Sequence, residues 1–185
     1  MKNELTKEQI ERRKLGIGGS DARIIANGTQ EDWHALWMQK IGELEPKFNR
    51  QQRFLMSLGV ATEPITLERL NEEVPLMKPK LTSDGIEKYK KSLECVDNEY
   101  KFLRCNLDAR VLSTGQAVEV KYHTGNKSFS ELAEYYAPQL QHNMMCSNST
   151  SIVFAVTFGH YGTFKWELIK ADYNWLAQYV EKAIK

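Results

Sequence analysis

The sequence predicts an α/β (α+β) fold in which a mixed central sheet is flanked by helices. Three observations predict it. Helical spacing dominates residues 5 to 72. The period then drops to two over residues 92 to 122, and again over 151 to 168. One helical segment, 128 to 146, separates the two β regions. This order differs from the regular strand–helix alternation of a dinucleotide-binding fold.

Taken in order, residues 5 to 14 read as a short helix with Thr6 as its cap. Gly16, Gly18 and Gly19 mark a tight backbone feature, and Ser20 or Asp21 is placed to cap the helix over 21 to 27, which stops at Asn27-Gly28. Trp33, Leu36, Trp37 and Lys40 give a helix over 31 to 41, with both tryptophans expected in the core. An alternative is that one of them stacks on a frayed base. Phe54, Leu55, Leu58, Ile65, Leu67 and Leu70 continue the pattern over 49 to 72. Pro64 lacks an N–H and predicts a kink or restart near 60 to 64, which puts Glu63 at an irregularity. Residues 75 to 83 read as extended or loop. Strands follow over 92 to 96, 101 to 112 and 116 to 122, the last entered by a turn at Ser113-Thr114-Gly115. The helix over 128 to 146 contains Pro138. Strands over 151 to 158 and 161 to 168 pair through Gly159-His160-Tyr161-Gly162, and a helix from Asp172 to about Lys182 closes the chain.

The length of 185 residues suits one domain, spanning 1 to 185, with its own core. Lys plus Arg number 25 against 24 for Asp plus Glu, so net charge neither points to nucleic acid nor excludes it. Basic residues gather at Arg12-Arg13-Lys14 and between 78 and 91, where an ordinary solvated face fits as well. Cys95, Cys105 and Cys146 form no metal-type pair and are expected as buried free thiols, with Cys95 and Cys105 facing across a hairpin. The scattered His34, His123, His142 and His160 lack zinc spacing, and His142 is expected on the outer face of its helix. The polar opening residues and the lack of a long apolar run lead to an expected soluble, cytoplasmic protein with no membrane partner.

The chemistry concentrates in Ala117-Val118-Glu119-Val120-Lys121-Tyr122. Alternation along a strand puts Glu119 and Lys121 on one face and Val118, Val120 and Tyr122 on the other. The turn at 113 to 115 returns the chain beside Asp108. Two carboxylates and an ammonium at a hairpin end suit Mg²⁺, with Mn²⁺ as a substitute. Spacing alone fits equally a turn aspartate beside a solvated strand face. Gly18, Gly19 and Ser20 have a similar double reading: an anion site of backbone N–H groups, or a tight turn with a helix cap.

Four segments together resemble the phage-type recombination exonucleases, the lambda-exonuclease or YqaJ-like group of the PD-(D/E)XK nuclease superfamily. They are Arg13-Lys14-Leu15-Gly16-Ile17-Gly18-Gly19-Ser20-Asp21-Ala22, Gly59-Val60-Ala61-Thr62-Glu63, Asp108-Ala109 with Glu119-Val120-Lys121, and Tyr135-Tyr136-Ala137-Pro138-Gln139-Leu140-Gln141-His142-Asn143-Met144. The resemblance implies a restriction-endonuclease-like core. It implies metal ligands at Asp108, Glu119 and Glu63 and at the Val120 carbonyl. It makes Lys121 the residue that positions or activates the attacking water, and gives Gln139 a supporting role with Gln141 as neighbour. Arg13 and Ser20, with Gly18 and Gly19, match residues that hold a terminal 5′ phosphate. The implied activity is 5′-to-3′ digestion of one strand at double-stranded DNA ends, leaving 3′ single-stranded tails for phage recombination. A single-strand annealing protein is the implied partner and a ring-type homotrimer the implied assembly. The open alternatives are a DNA endonuclease on the same core and a non-catalytic DNA-binding or regulatory protein.

Overall fold

The computed structural model describes residues 11, 13–79, 82–159 and 162–184. A single 3-10 turn, Gly19–Asp21, leads into α1 (Ala22–Asn27), α2 (Gln30–Lys40) and the long α3 (Arg50–Glu73). Then come α4 (Ser83–Leu93), β1 (Glu94–Val96), β2 (Arg104–Asn106), β3 (Ala109–Arg110) and β4 (Ala117–His123). The chain continues with α5 (Phe129–Cys146), β5 (Ser151–Phe158), β6 (Thr163–Lys170) and α6 (Tyr173–Ile184). Helices begin where side chains can satisfy their free N–H groups. Thr29, Asn49 and Ser128 each accept from the backbone N–H three residues on, and the residue there reaches back to the cap N–H.

The main sheet has the order β3-β4-β5-β6. β4 and β5 are parallel and joined through α5, while the outer pairs are antiparallel, which makes the sheet mixed. Alternation splits its side chains between two cores. Val118, Val120, Val153 and Ala155 pack with Leu70 of α3 and with Leu76 on one face. Ala117, Ile152, Phe154 and Val156 pack with Leu132, Leu140 and Met144 of α5 on the other. The buried run of β5 therefore carries helices on both faces. β1 and β2 form a separate two-stranded sheet with Cys95 opposite Cys105.

The expected strand over 101 to 112 is divided between the two sheets, and Leu107 and Asp108 lie at the break. α3 runs through Pro64 as one helix and does not restart. The hydroxyls of Thr62 and Thr66 on either side of it bond back to the carbonyls of Leu58 and Thr62. α4 covers residues 84 to 91, to which the sequence pattern assigns no element. Its signals are the Thr82 cap on the Gly85 N–H and the Asp84–Lys88 pair. Trp37 is not a core residue: it is 55% exposed, and Leu36 takes the buried position on α2. Trp33 is half-buried and donates its indole N–H to the Ile24 carbonyl. Of the expected first helix, Glu11, Arg13 and Lys14 are helical. Thr6, and His160 and Tyr161 of the β5–β6 turn, lie outside the described residues.

α3 is also tied to the sheet by a buried polar contact. Thr66 is 1% exposed and its hydroxyl lies 3.0 Å from that of Thr157. Thr66→Val keeps the volume but removes the partner of Thr157. The expected cost is about 1 kcal/mol, or roughly 2–4 °C in melting temperature for a chain of this size. An unchanged thermal melt would show that apolar contact alone seats α3.

Candidate active site

β3 is only two residues long, so its ladder with β4 ends at Val118. Beyond it the edge of β4 is open, and the next N–H on that edge belongs to Val120. Asp108 takes the place of the missing strand. Its N–H donates to the Val118 carbonyl at 3.2 Å, and its carboxylate accepts the Val120 N–H at 2.7 Å. The carbonyl of a strand residue points to the same side as its N–H, so the Val120 carbonyl faces the same edge. The strand break that divided 101 to 112 is thus the feature that aims Asp108.

Glu119 points to the α5 face and is 2% exposed. Three groups hold it. Gln139 donates to Oε1 at 2.6 Å, Asn143 donates to Oε2 at 2.8 Å, and the Lys121 ammonium bonds Oε1. Gln139 and Asn143 are four apart and so share one face of α5. Pro138, one residue before Gln139, is buried within the helix and does not divert that side chain. Asn143 was missed in the sequence. The available signal was its spacing from Gln139.

Carboxylates outnumber the ammonium here, and the titrations respond. Burial first, and then the charge of Glu119, push the Asp108 carboxyl well above its ordinary range, against the pull of Lys121 and the Val120 N–H. Glu63, carried on α3, is raised by loss of solvent and then by Glu119, with Lys121 opposing. Burial works to lower Lys121, but Glu119 and Asp108 overcome it and keep the ammonium protonated to higher pH than usual. Lys121 is therefore a fixed cation at neutral pH. Its Nζ also lies 5.2 Å from the centre of the Tyr136 ring.

The glycine turn abuts this cluster. Ile17 exchanges backbone hydrogen bonds with Phe102 and Arg104, which seats the turn on the β1–β2 hairpin. A side chain at Gly19 would place its Cβ 2.4 Å from Asn143 Oδ1, so only glycine lets the turn approach α5 this closely. A cleft of about 540 Å³ opens between them, lined by Arg13, Gly18, Gly19, Ser20, Arg104, Gln139 and Asn143. One detail of the expected anion site is corrected. The Gly18 N–H is taken by the Asp21 carboxylate at 2.8 Å. Asp21 is buried and also receives Lys40, with Arg13 3.8 Å away.

The structure thus brings Asp108, Glu119, Val120, Lys121 and Gln139 together with Glu63 beside them, and it places Arg13, Gly18, Gly19 and Ser20 at the adjoining cleft. It does not bring Gln141. That residue is buried, donating to the Lys170 carbonyl and accepting the Asp172 N–H, and so fixes α6 behind the sheet. His142 is not on the outer face either. It is fully buried, and burial lowers its pKa, so the ring is neutral. It bonds the Tyr179 hydroxyl at 2.8 Å and the Arg104 carbonyl at 2.9 Å, tying α5 to α6 and β2. All three cysteines are buried and free.

The donor set, two carboxylates with a third nearby and a carbonyl, has the chemistry of a hard divalent-cation site. Burial first, and then repulsion from Glu119, raise Asp108 and Glu63, and a bound cation offsets both. Among the described residues, no three His, Cys, Asp or Glu side chains converge closely enough to hold an ion as they stand. No described helix is long and apolar enough to cross a membrane.

The fold is similar to that of an alkaline exonuclease (LHK-Exo) from Laribacter hongkongensis, at 14% identity and TM-score 0.69 over 97% of this chain and 89% of that one. The same exonuclease in complex with dAMP aligns at 15% identity and TM-score 0.69, over 96% of this chain and 89% of that one. A phage related exonuclease from Haemophilus somnus 129PT aligns at 10% identity and TM-score 0.64, over 91% of this chain and 90% of that one. At these identities the likeness establishes a shared fold. Among curated proteins none matches. Residues 9–150 match the YqaJ-like viral recombinase domain, most of the chain and all of the site just described, and the protein belongs to that family.

Proposed function

We propose that the protein is a magnesium-dependent exonuclease that digests one strand of linear duplex DNA from its 5′ end. The observation that carries the reading is the grouping of Asp108, Glu119 and Lys121 on the open edge of β4, beside a cleft that holds Arg13 and Ser20. Asp108, Glu119 and the Val120 carbonyl would hold the cation, with Glu63 completing the set. When bound, Mg²⁺ or Mn²⁺ supplies positive charge against the phosphodiester oxygens and makes water at the site more acidic.

The chain's own residues do the remaining work. Gln139 and Asn143 fix both oxygens of Glu119, so the carboxylate does not swing when charge changes around it. Lys121, bonded to Glu119 Oε1, is placed to orient water and steady negative charge on the phosphate. Arg13, with the N–H groups of Gly19 and Ser20, would receive a 5′ phosphate in the cleft. The product class expected is a deoxynucleoside 5′-monophosphate, in keeping with the dAMP complex of the similarly folded exonuclease. A 3′ single-stranded tail would remain for an annealing partner, and a ring-type trimer is the assembly that suits continuous digestion.

The test uses a linear duplex with a 5′ phosphate, the same duplex with a 5′ hydroxyl, and a closed circle, each in Mg²⁺ and in EDTA. Mononucleotides released in Mg²⁺ alone, fastest from the phosphorylated end and with the circle spared, are expected. Cutting of the circle would replace the exonuclease with an endonuclease on the same core. Binding without cutting in either Mg²⁺ or Mn²⁺ would leave a regulatory DNA-binding protein.

A further inference from the structure

Outside the cleft, two cations share one aromatic ring. The Arg23 guanidinium lies 4.2 Å from the centre of the Tyr135 ring, and the Lys127 ammonium lies 4.4 Å from the same ring. Arg13 and Lys40, by comparison, share Asp21, and Arg69 holds Glu72 and Glu73. Among the described residues Arg23 and Lys127 form no ion pair. Glu131 feels the Lys127 charge, but its carboxylate is bonded to the Ser128 N–H and hydroxyl, as the cap of α5.

The position is as informative as the charge. Gly19 faces Gln139 and Asn143 across the contact of the glycine turn with α5. Arg23 is four residues after Gly19, and Tyr135 is four before Gln139, so the Arg23–Tyr135 contact lies one helical turn along the same seam. Tyr135 meets Tyr136 edge-on at 4.9 Å, and the face of Tyr136 is turned to the Lys121 ammonium. A ring face attracts a cation without cancelling its charge. Tyr135 therefore seats two cations on its ring, and Tyr136 links that ring to Lys121. Such a pair suits an anion with spread charge, and a phosphodiester group is one.

We propose that Arg23 and Lys127, seated on Tyr135, form a second phosphate site that holds the DNA backbone next to the reacting bond. The site rests on the nuclease reading for the identity of its ligand. It differs from the Arg13–Ser20 cleft in that it takes an internal phosphate and is indifferent to the chemistry of the strand end.

The test is binding, measured in EDTA so that cleavage plays no part. Fluorescence anisotropy follows a short labelled linear duplex across a salt series, with wild type, Arg23→Gln/Lys127→Gln, Tyr135→Leu, Tyr135→Phe and Lys88→Gln. Lys88 is an exposed lysine of α4 and serves as the charge control. The double charge variant is expected to bind about tenfold more weakly and to lower the slope of log K against log salt by about 1 to 2. Tyr135→Leu should weaken binding roughly threefold with the formal charge unchanged, and Tyr135→Phe should restore it, since the ring face is what matters. The loss should be equal for 5′-phosphate and 5′-hydroxyl ends. If the double variant and Lys88→Gln match wild type in affinity and slope, the site is wrong. A wild-type protein that binds with this pattern but cuts nothing would retain the phosphate site and lose the nuclease. A wild type that binds no DNA would end both.

Discussion

Asp108→Asn should melt at a higher temperature than the wild-type protein at neutral pH without added metal, and should cleave no DNA. The folded state holds the Asp108 proton to higher pH than the unfolded chain, whose carboxyl titrates near 3.8. Between those two pKa values the folded protein binds more protons, so stability falls as pH rises through the window. Glu63 acts in the same direction. At pH 7 the ionised Asp108 therefore weakens the metal-free fold. Asparagine removes the charge and keeps an oxygen for the Val120 N–H. The gain expected is about 1–2 kcal/mol, or roughly 2–6 °C, and the advantage should shrink as the pH is lowered toward 4. Activity should drop by at least about a thousandfold, since a ligand and its charge are lost together. Lys121→Ala should be equally inactive yet less stable than wild type, because it leaves Glu119 and Asp108 without their cation. Thermal melts from pH 4 to 8, beside a cleavage assay, separate the two behaviours. A lower melting temperature for Asp108→Asn at pH 7 would mean that Asp108 serves the fold and is not held against it.

The second large effect concerns the seam between the glycine turn and α5. Gly19→Ala is expected to cost about 1–3 kcal/mol, because the new methyl falls 2.4 Å from Asn143 Oδ1 and 3.4 Å from the Gln139 side chain. Those are the two residues that hold Glu119, so activity should fall with stability. Asn143→Ala alone removes a bond to a buried carboxylate, at about 1.5–3 kcal/mol. In the double variant the clash partner is gone, and the combined loss should be smaller than the sum by about 1 kcal/mol or more. Urea melts of the four proteins measure this directly. Additive losses would mean that Gly19 and Asn143 do not meet.

Much of this was legible in the chain, for identifiable reasons. The alternation of β4 and the short turn before it put Asp108, Glu119 and Lys121 together, because strand period and hairpin reach are local properties. The β5 run and the α5 pattern were equally plain. What escaped depends on tertiary contacts. Nothing local says that the strand over 101 to 112 must break at Asp108, since the break arises from two different partners, β1 and β4. Gln141 and His142 follow Gln139 by two and three residues but point elsewhere. Each residue of a helix turns the side chain by about 100°, and here the steps carry these two toward β6, α6 and β2. Asn143, four residues on, returns to the site by the same geometry.

In this reading the carboxylates of this edge assemble on a divalent cation and cleavage depends on it. One titration tests that most directly: MgCl₂ added to wild type and to Asp108→Asn, with melting temperature and DNA cleavage followed over the same concentrations. The wild-type melting temperature should rise as the metal relieves the repulsion, cleavage should appear over the same range, and neither change should occur in Asp108→Asn. Undiminished cleavage in EDTA, or by Asp108→Asn, would contradict it.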